Sequence, residues 1–241
     1  HQRINTLFVT GTGTNSCADT QTAVLIFTGV WFALCFLEIF YSDHAEQMEG
    51  IIHHQRFFHA ALVHFFQNHF AGFAFTVKSA PNTKVTGELT FRTQMLDAMD
   101  TDSFVVWDTS GDQDATAWGG VMTATALGKG IRAAVIDGGI RDTNQILEKD
   151  FPVYYRYRSP NGSLGRCLIS HYQTPVKIGS CWIRPGDIVV GDIDGVIVVP
   201  RRLAVAVLER AEEILGNEKK IFSWVADGES VQSITEKGGY F

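Results

Sequence analysis

From residue 70 onward, apolar runs of strand length alternate with segments whose apolar residues recur at helical spacing. Residues 70–80, FAGFAFTVKSA, read as a strand. Residues 87–99 read as an amphipathic helix with Leu89, Met95, Leu96 and Met99 turned to the core, and 103–107 as a second strand. Residues 121–127 are rich in Ala and predict a helix of small side chains, ended by Gly128 and Gly130. Residues 131–136 carry the pattern of a strand buried on both faces, with Asp137-Gly138-Gly139 turning the chain at its end. A short helix to about Lys149 follows, and Pro152 opens the extended run VYYRYR. Such alternation belongs to an α/β layer structure.

Past residue 165 the spacing shortens. RCLISHY, PVKIGSCWI, DIVVGD and GVIVVP read as strands with no helix between them, and Asp194-Gly195 between two Val/Ile runs predicts a hairpin. Asp187, Asp192 and Asp194 alternate with apolar residues there, which turn chemistry explains better than metal binding. Residues 201–217 read as a helix, followed by a short helix and tail.

Residues 1–69 are read as an atypical, apolar, helical region packed on a core formed by 70–241. The run 23–41 has a single charge, Glu38, and is barely of membrane length. No Lys or Arg occurs from Ile4 to Gln55, which argues against a signal peptide or a membrane anchor and for a buried helix or subunit interface. His59, His64 and His69 recur every five residues, a rotation of about 140° per step on a helix, so one helix cannot bring them to one metal.

Composition narrows the classes. At 241 residues the chain suits one domain with a sizeable core, and a formal charge of −6 without clustered Lys and Arg gives no nucleic-acid surface. The four cysteines form no CxxC pair, so buried thiols in a reducing, cytoplasmic compartment are expected.

The densest chemistry lies in residues 119–142, GGVMTATALGKGIRAAVIDGGIRD. A glycine pair opens a helix of small residues, and Arg141-Asp142 sits just past a strand end at the start of the next helix. Asp142 also fits as the cap of the helix TNQILE, with Gln145 completing a capping-box pattern.

That stretch, with FAGFAFTV and GDIVVGDIDGVIVVP, resembles the RraA-like family, which includes the 4-hydroxy-4-methyl-2-oxoglutarate/4-carboxy-4-hydroxy-2-oxoadipate aldolases and protein regulators of a ribonuclease. The likeness covers residues 70–213, with a fainter echo in SCADTQTAV at 16–24. The resemblance implies a swivelling β/β/α layered sandwich, a homotrimer or hexamer, and active sites between subunits. It further implies a lyase acting on a small 2-keto acid with Mg2+ or Mn2+, by retro-aldol cleavage or oxaloacetate decarboxylation through a pyruvate enolate.

In that scheme Arg141 holds the keto-acid oxygens, Asp142 binds the metal, and Gly119, Gly120 and the amides of Val121, Met122 and Thr123 receive the substrate carboxylate. One departure stands out: where the aldolases commonly place an acid, this chain has Gly120. Asp108, Asp112 and Asp114 are candidates to compensate, and Arg166, His171, Glu209 and Glu213 are candidates to reach the site from a neighbouring subunit. The alternatives are a non-catalytic protein-binding regulator of the RraA type, or a member repurposed to another substrate.

Overall fold

A computed structural model of the chain describes residues 59–60, 69–85 and 88–240. The helical region expected over 1–69 lies outside the described residues, apart from His59–Ala60 and His69, and the apolar run 23–41 lies wholly outside them. The fold is mixed α/β around one large sheet. Four parallel strands form its centre: β2 (Phe70–Pro81), β3 (Ser103–Asp108), β5 (Ala133–Ile140) and β6 (Val153–Arg158). A two-residue β1 (His59–Ala60) adds to the outer edge of β6, and the short β4 (Thr116–Trp118) runs beside the end of β5.

Helices cover one face of this sheet: α1 (Glu88–Asp97), α2 (Gly120–Gly128) and α3 (Thr143–Glu148). Met95, Met99, Met122, Ala126 and Ile146 pack there against Phe75, Val105, Trp107, Ile136 and Tyr155. On the opposite face Ala74, Phe104, Val106, Val135 and Tyr154 meet Val176, Ile178 and Ile183 of a separate ribbon, β8 (Val176–Ile178) and β9 (Cys181–Ile183). Strands buried on both faces can be almost continuously apolar, as β3 and β5 are. The result is the expected β/β/α sandwich.

β2 is shared by two ladders. Its first residues pair antiparallel with β10 (Ile188–Gly191), its last with β7 (Cys167–Tyr172), while β3 occupies its other edge. β10 turns into β11 (Val196–Val199) through the expected hairpin, in which Asp192 Oδ1 accepts the amides of Asp194 and Gly195. Asp187 likewise accepts backbone amides, from Arg184 and Arg201. Cys167 and Cys181 are buried thiols.

The structure corrects three expectations. Asp137-Gly138-Gly139 is not a turn: β5 continues through it to Ile140, wholly buried, with a register irregularity against β6 between Ile136 and Gly139. The glycines are required by close approach, since a Cβ on Gly138 would meet Thr109 Cγ2 at 2.6 Å and one on Gly139 would meet the Tyr157 ring at 2.5 Å. Leu89 is not a core residue but 71% exposed. The inward side of α1 carries Phe91 and Met95 at i, i+4 spacing, with Met99 just past its end, and Leu89 falls outside it. The helix after residue 200 does not stop near 217. After a 3-10 turn, α4 spans Ala204–Ala226, because Val207, Ile214 and Ile221 repeat every seven residues on its buried side and carry it past Gly216 and Asn217. α5 (Val231–Glu236) follows.

Burial holds the Asp192 carboxyl above its ordinary value, the Asp194 charge adding to this and the two amides opposing it. A raised folded-state value favours the protonated form, so its contribution is full at acid pH and falls as the pH rises through that value. Asp192→Asn keeps an acceptor for both amides and does not titrate. Its melting temperature relative to wild type is therefore expected to rise as pH goes from about 3 to 7, and parallel pH curves for the two proteins would contradict this.

Candidate functional site

β4 and β5 run parallel with Trp118 opposite Ile140, and both strands end there. Gly119-Gly120 therefore leaves one strand directly beside Arg141-Asp142 leaving the other. The Arg141 amide donates to Trp118 O at 3.0 Å, locking the two exits together. Trp118 stacks on Phe151, with ring centroids 5.8 Å apart, and its Nε1 donates to Thr123 Oγ1 at 2.9 Å. Thr123 Oγ1 and the Thr123 amide both donate to Gly119 O, which fixes the first turn of α2.

Asp142 takes a left-handed backbone, φ +54°, at the cap position of α3, yet its side chain makes no capping bond to that helix. Its Oδ2 instead accepts the Gly120 amide at 3.0 Å and lies 3.6 Å from Arg141 Nε. The capping-box reading with Gln145 is thus replaced by a cross-helix cap: the start of α3 neutralises the positive end of α2. Left-handed non-glycine residues cost about 1–3 kcal/mol and gather at functional sites. Gly119 is needed for the same approach, since a Cβ there would stand 2.7 Å from Asp142 Oδ2 and 3.2 Å from Arg141 Cγ.

An open cleft of about 400 Å³ lies beside this junction, lined by Ile140, Arg141, Asp142, Thr143, Arg158, Ser159 and Pro160. Residues 119–123 border the junction and do not line the cleft. Met122 and Thr123 turn their side chains into the core, Val121 is exposed, and Thr123's amide is used within α2. Among the five, the amides of Val121 and Met122 remain as donors at a helix start. No local sequence pattern points to Arg158 as a site residue. It reaches the cleft because β6 pairs it with Ile140, the residue just before Arg141.

The other acids are committed elsewhere. Asp108 is buried against Lys78 Nζ at 2.7 Å, Asp112 accepts the amides of Asp114 and Ala115, and Asp114 holds Asn161 and Arg166. None of the three lines the cleft described above. His171 stands in β7 beside Lys78 of β2, and Glu213 pairs with Arg210 on α4. No group of three His, Cys, Asp or Glu side chains able to hold a metal occurs among the described residues, and no helix among them is long and apolar enough to cross a membrane.

Residues 42–198 match the RraA-like family, Aldolase/RraA, and the chain belongs to it. A protein of Halalkalibacterium halodurans with the provisional name 4-hydroxy-4-methyl-2-oxoglutarate aldolase is 34% identical over 109 residues, 45% of this chain and 51% of that one. The chain spans between 27% and 59% of the length of this and two further curated relatives. A crystal structure described as one of novel cellulases from microbes of the gut ecosystem is 65% identical, with TM-score 0.61, over 68% of this chain and 70% of that one. Streptomyces coelicolor RraAS2, described as an unusual member of the RNase ES inhibitor RraA protein family, is 27% identical with TM-score 0.57, over 65% of this chain and 76% of its own.

Thr123→Val keeps shape but leaves the buried Trp118 Nε1 without its acceptor. Urea denaturation is expected to register a loss of about 1–3 kcal/mol; an unchanged midpoint would mean that this hydroxyl does not hold the first turn of α2.

Proposed function

We propose that the chain is a divalent-metal-dependent lyase acting on a small 2-keto acid with a second carboxylate. One observation carries this reading: the Arg141 guanidinium and the Asp142 carboxylate emerge together at the start of α2, with Arg158 across the same cleft. Two arginines suit a dianion, and a planar guanidinium can hold paired carboxylate and carbonyl oxygens. The amides of Val121 and Met122 add donors for the carboxylate at the helix start.

The donor set fits a hard cation. Asp142 Oδ2 is occupied, Oδ1 accepts no hydrogen bond among the described residues, and Mg2+ or Mn2+ is commonly held by one or two carboxylates with water and substrate oxygens. When bound, such a cation polarises the keto group and offsets the charge that grows on its oxygen.

In oxaloacetate decarboxylation the bond from C3 to the distal carboxylate breaks, carbon dioxide leaves, and the electron pair moves to the C2 oxygen. The Arg141 guanidinium stands ready to hold that oxygen, and water returns a proton to C3. Retro-aldol cleavage additionally needs a base for the C4 hydroxyl. Among the described residues Asp142 is the lone carboxylate lining the cleft, so decarboxylation asks less of them. A homotrimer or hexamer in the cytoplasm, as the resemblance implies, would let a neighbour add groups to the open side of the cleft.

A second reading, a regulator acting by protein contact, is favoured by one feature. Val205, Leu208, Phe222 and Val225 of α4 are all exposed, an unusual apolar load for one helix.

The test is pyruvate release from oxaloacetate and from 4-hydroxy-4-methyl-2-oxoglutarate with Mg2+ or Mn2+. Arg141→Ala and Asp142→Ala are each expected to lower kcat/KM by about 100-fold or more. Metal-independent turnover, or variants as active as wild type, would sink the lyase. No turnover of either keto acid, together with a stable ribonuclease complex that survives Arg141→Ala, would favour the regulator.

A further inference from the structure

Arg141 has to meet a keto oxygen, yet its side chain is half exposed and little holds it. Its Nε lies 3.6 Å from Asp142 Oδ2, and its guanidinium makes no hydrogen bond among the described residues. An arginine free to turn loses much of the advantage of being placed in advance. What it rests against is the backbone of the loop 159–166: a Cβ on Gly162 would stand 3.1 Å from Arg141 Nη1. A glycine there supports the guanidinium by contact and uses none of its N–H donors. Ser159 and Pro160 of the same loop line the cleft.

The loop is itself tied down at three points. The amide and hydroxyl of Thr116 both donate to Asn161 O, at 2.9 and 2.6 Å. Arg166 Nη1 donates to Gly162 O at 3.3 Å while its Nε pairs with Asp114. The third tie is Arg92 of α1, whose Nη2 donates to Ser163 Oγ at 2.9 Å and whose Nη1 reaches Ala117 O at 3.5 Å. Its guanidinium carbon lies 5.8 Å from the centre of the buried Trp107 ring. Ala117 belongs to β4, the strand that delivers Gly119-Gly120. One planar group, seated over an aromatic ring, thus joins the strand leading to the glycine pair to the loop that rests on Arg141.

Resting on the lyase reading above, we propose that Arg92 is a positioning residue for the reaction: it holds the 159–166 loop where Gly162 supports the Arg141 guanidinium against the keto oxygen. Arg92 touches no substrate. It keeps Arg141 aimed beforehand, so that the rotamer freedom of Arg141 is given up on folding and not on binding. A lysine at position 92 keeps a charge near Trp107 but cannot serve two acceptors from one fixed plane.

The test is a set of double-variant cycles on oxaloacetate decarboxylation by the full chain with Mn2+. Ser163→Ala removes the tie at the loop end and leaves the sheet alone. Arg92→Ala and Arg92→Lys remove the fork, and Gly162→Ala pushes on Nη1 from a backbone outside the left-handed region. Each is expected to lower kcat/KM about tenfold, Arg92→Lys less than Arg92→Ala. In the Arg141→Ala background the same substitutions are expected to cost less than about twofold more, because the group they aim is gone. Thermal unfolding of each variant separates these effects from loss of fold. Single variants as active as wild type, or losses that add in full to that of Arg141→Ala, mean that Arg92 only supports the fold, and the inference falls alone. If wild type releases no pyruvate, or Arg141→Ala is as active as wild type, the lyase reading falls and this inference with it.

Discussion

The pairing of Trp118 with Ile140 is the constraint on which the site depends. Two parallel strands that end at the same level must send their chains out side by side, and each here opens a helix at once. Two helix starts, each with unsatisfied amides and a partial positive charge, are then forced together. Left alone they would repel. The Asp142 carboxylate resolves this by turning away from its own helix to cap the neighbour's, at the cost of a left-handed backbone. The hydroxyl of Thr123 and the stacked Trp118 hold the other side of the junction rigid. The site's geometry is therefore a by-product of sheet register more than of any loop.

Much of this could be read from the chain. The alternating runs, the hairpin at Asp194-Gly195, the small-residue helix and the position of Arg141-Asp142 at a strand end are all local patterns, and local patterns survive folding. Local preference fails as a guide where long-range packing overrides it. Gly138 and Gly139 look like a turn because glycine is common in turns; in the fold they stay in the strand because Thr109 and Tyr157 press on them from elsewhere in the sequence. Leu89 and the end of α4 depart from their local pattern for a related reason, since which apolar residues face inward depends on where the helix lies.

The site divides in the same way. Arg141 and Asp142 were visible because they are adjacent in sequence and end a recognisable unit. Arg158 was not, because it enters through the register of β6 on β5, which no local signal encodes. Gln145 fits half of a capping box by its spacing, whereas its carboxamide lies against Gly120 of the neighbouring helix. Residue types were legible; the partner each would choose was not.

The sharing of β2 between two ladders bears on how the chain is made. Its inner edge meets β3 soon after synthesis, but its outer edge waits for β7 and then β10, which pairs Phe73 with Ile188. Until the last third of the chain has emerged from the ribosome, an apolar strand has one row of backbone groups open to any other strand nearby. Such distant pairing folds slowly. Lys78 near the end of β2 and Pro81 at its tip are the sort of residues that discourage wrong partners in the interval.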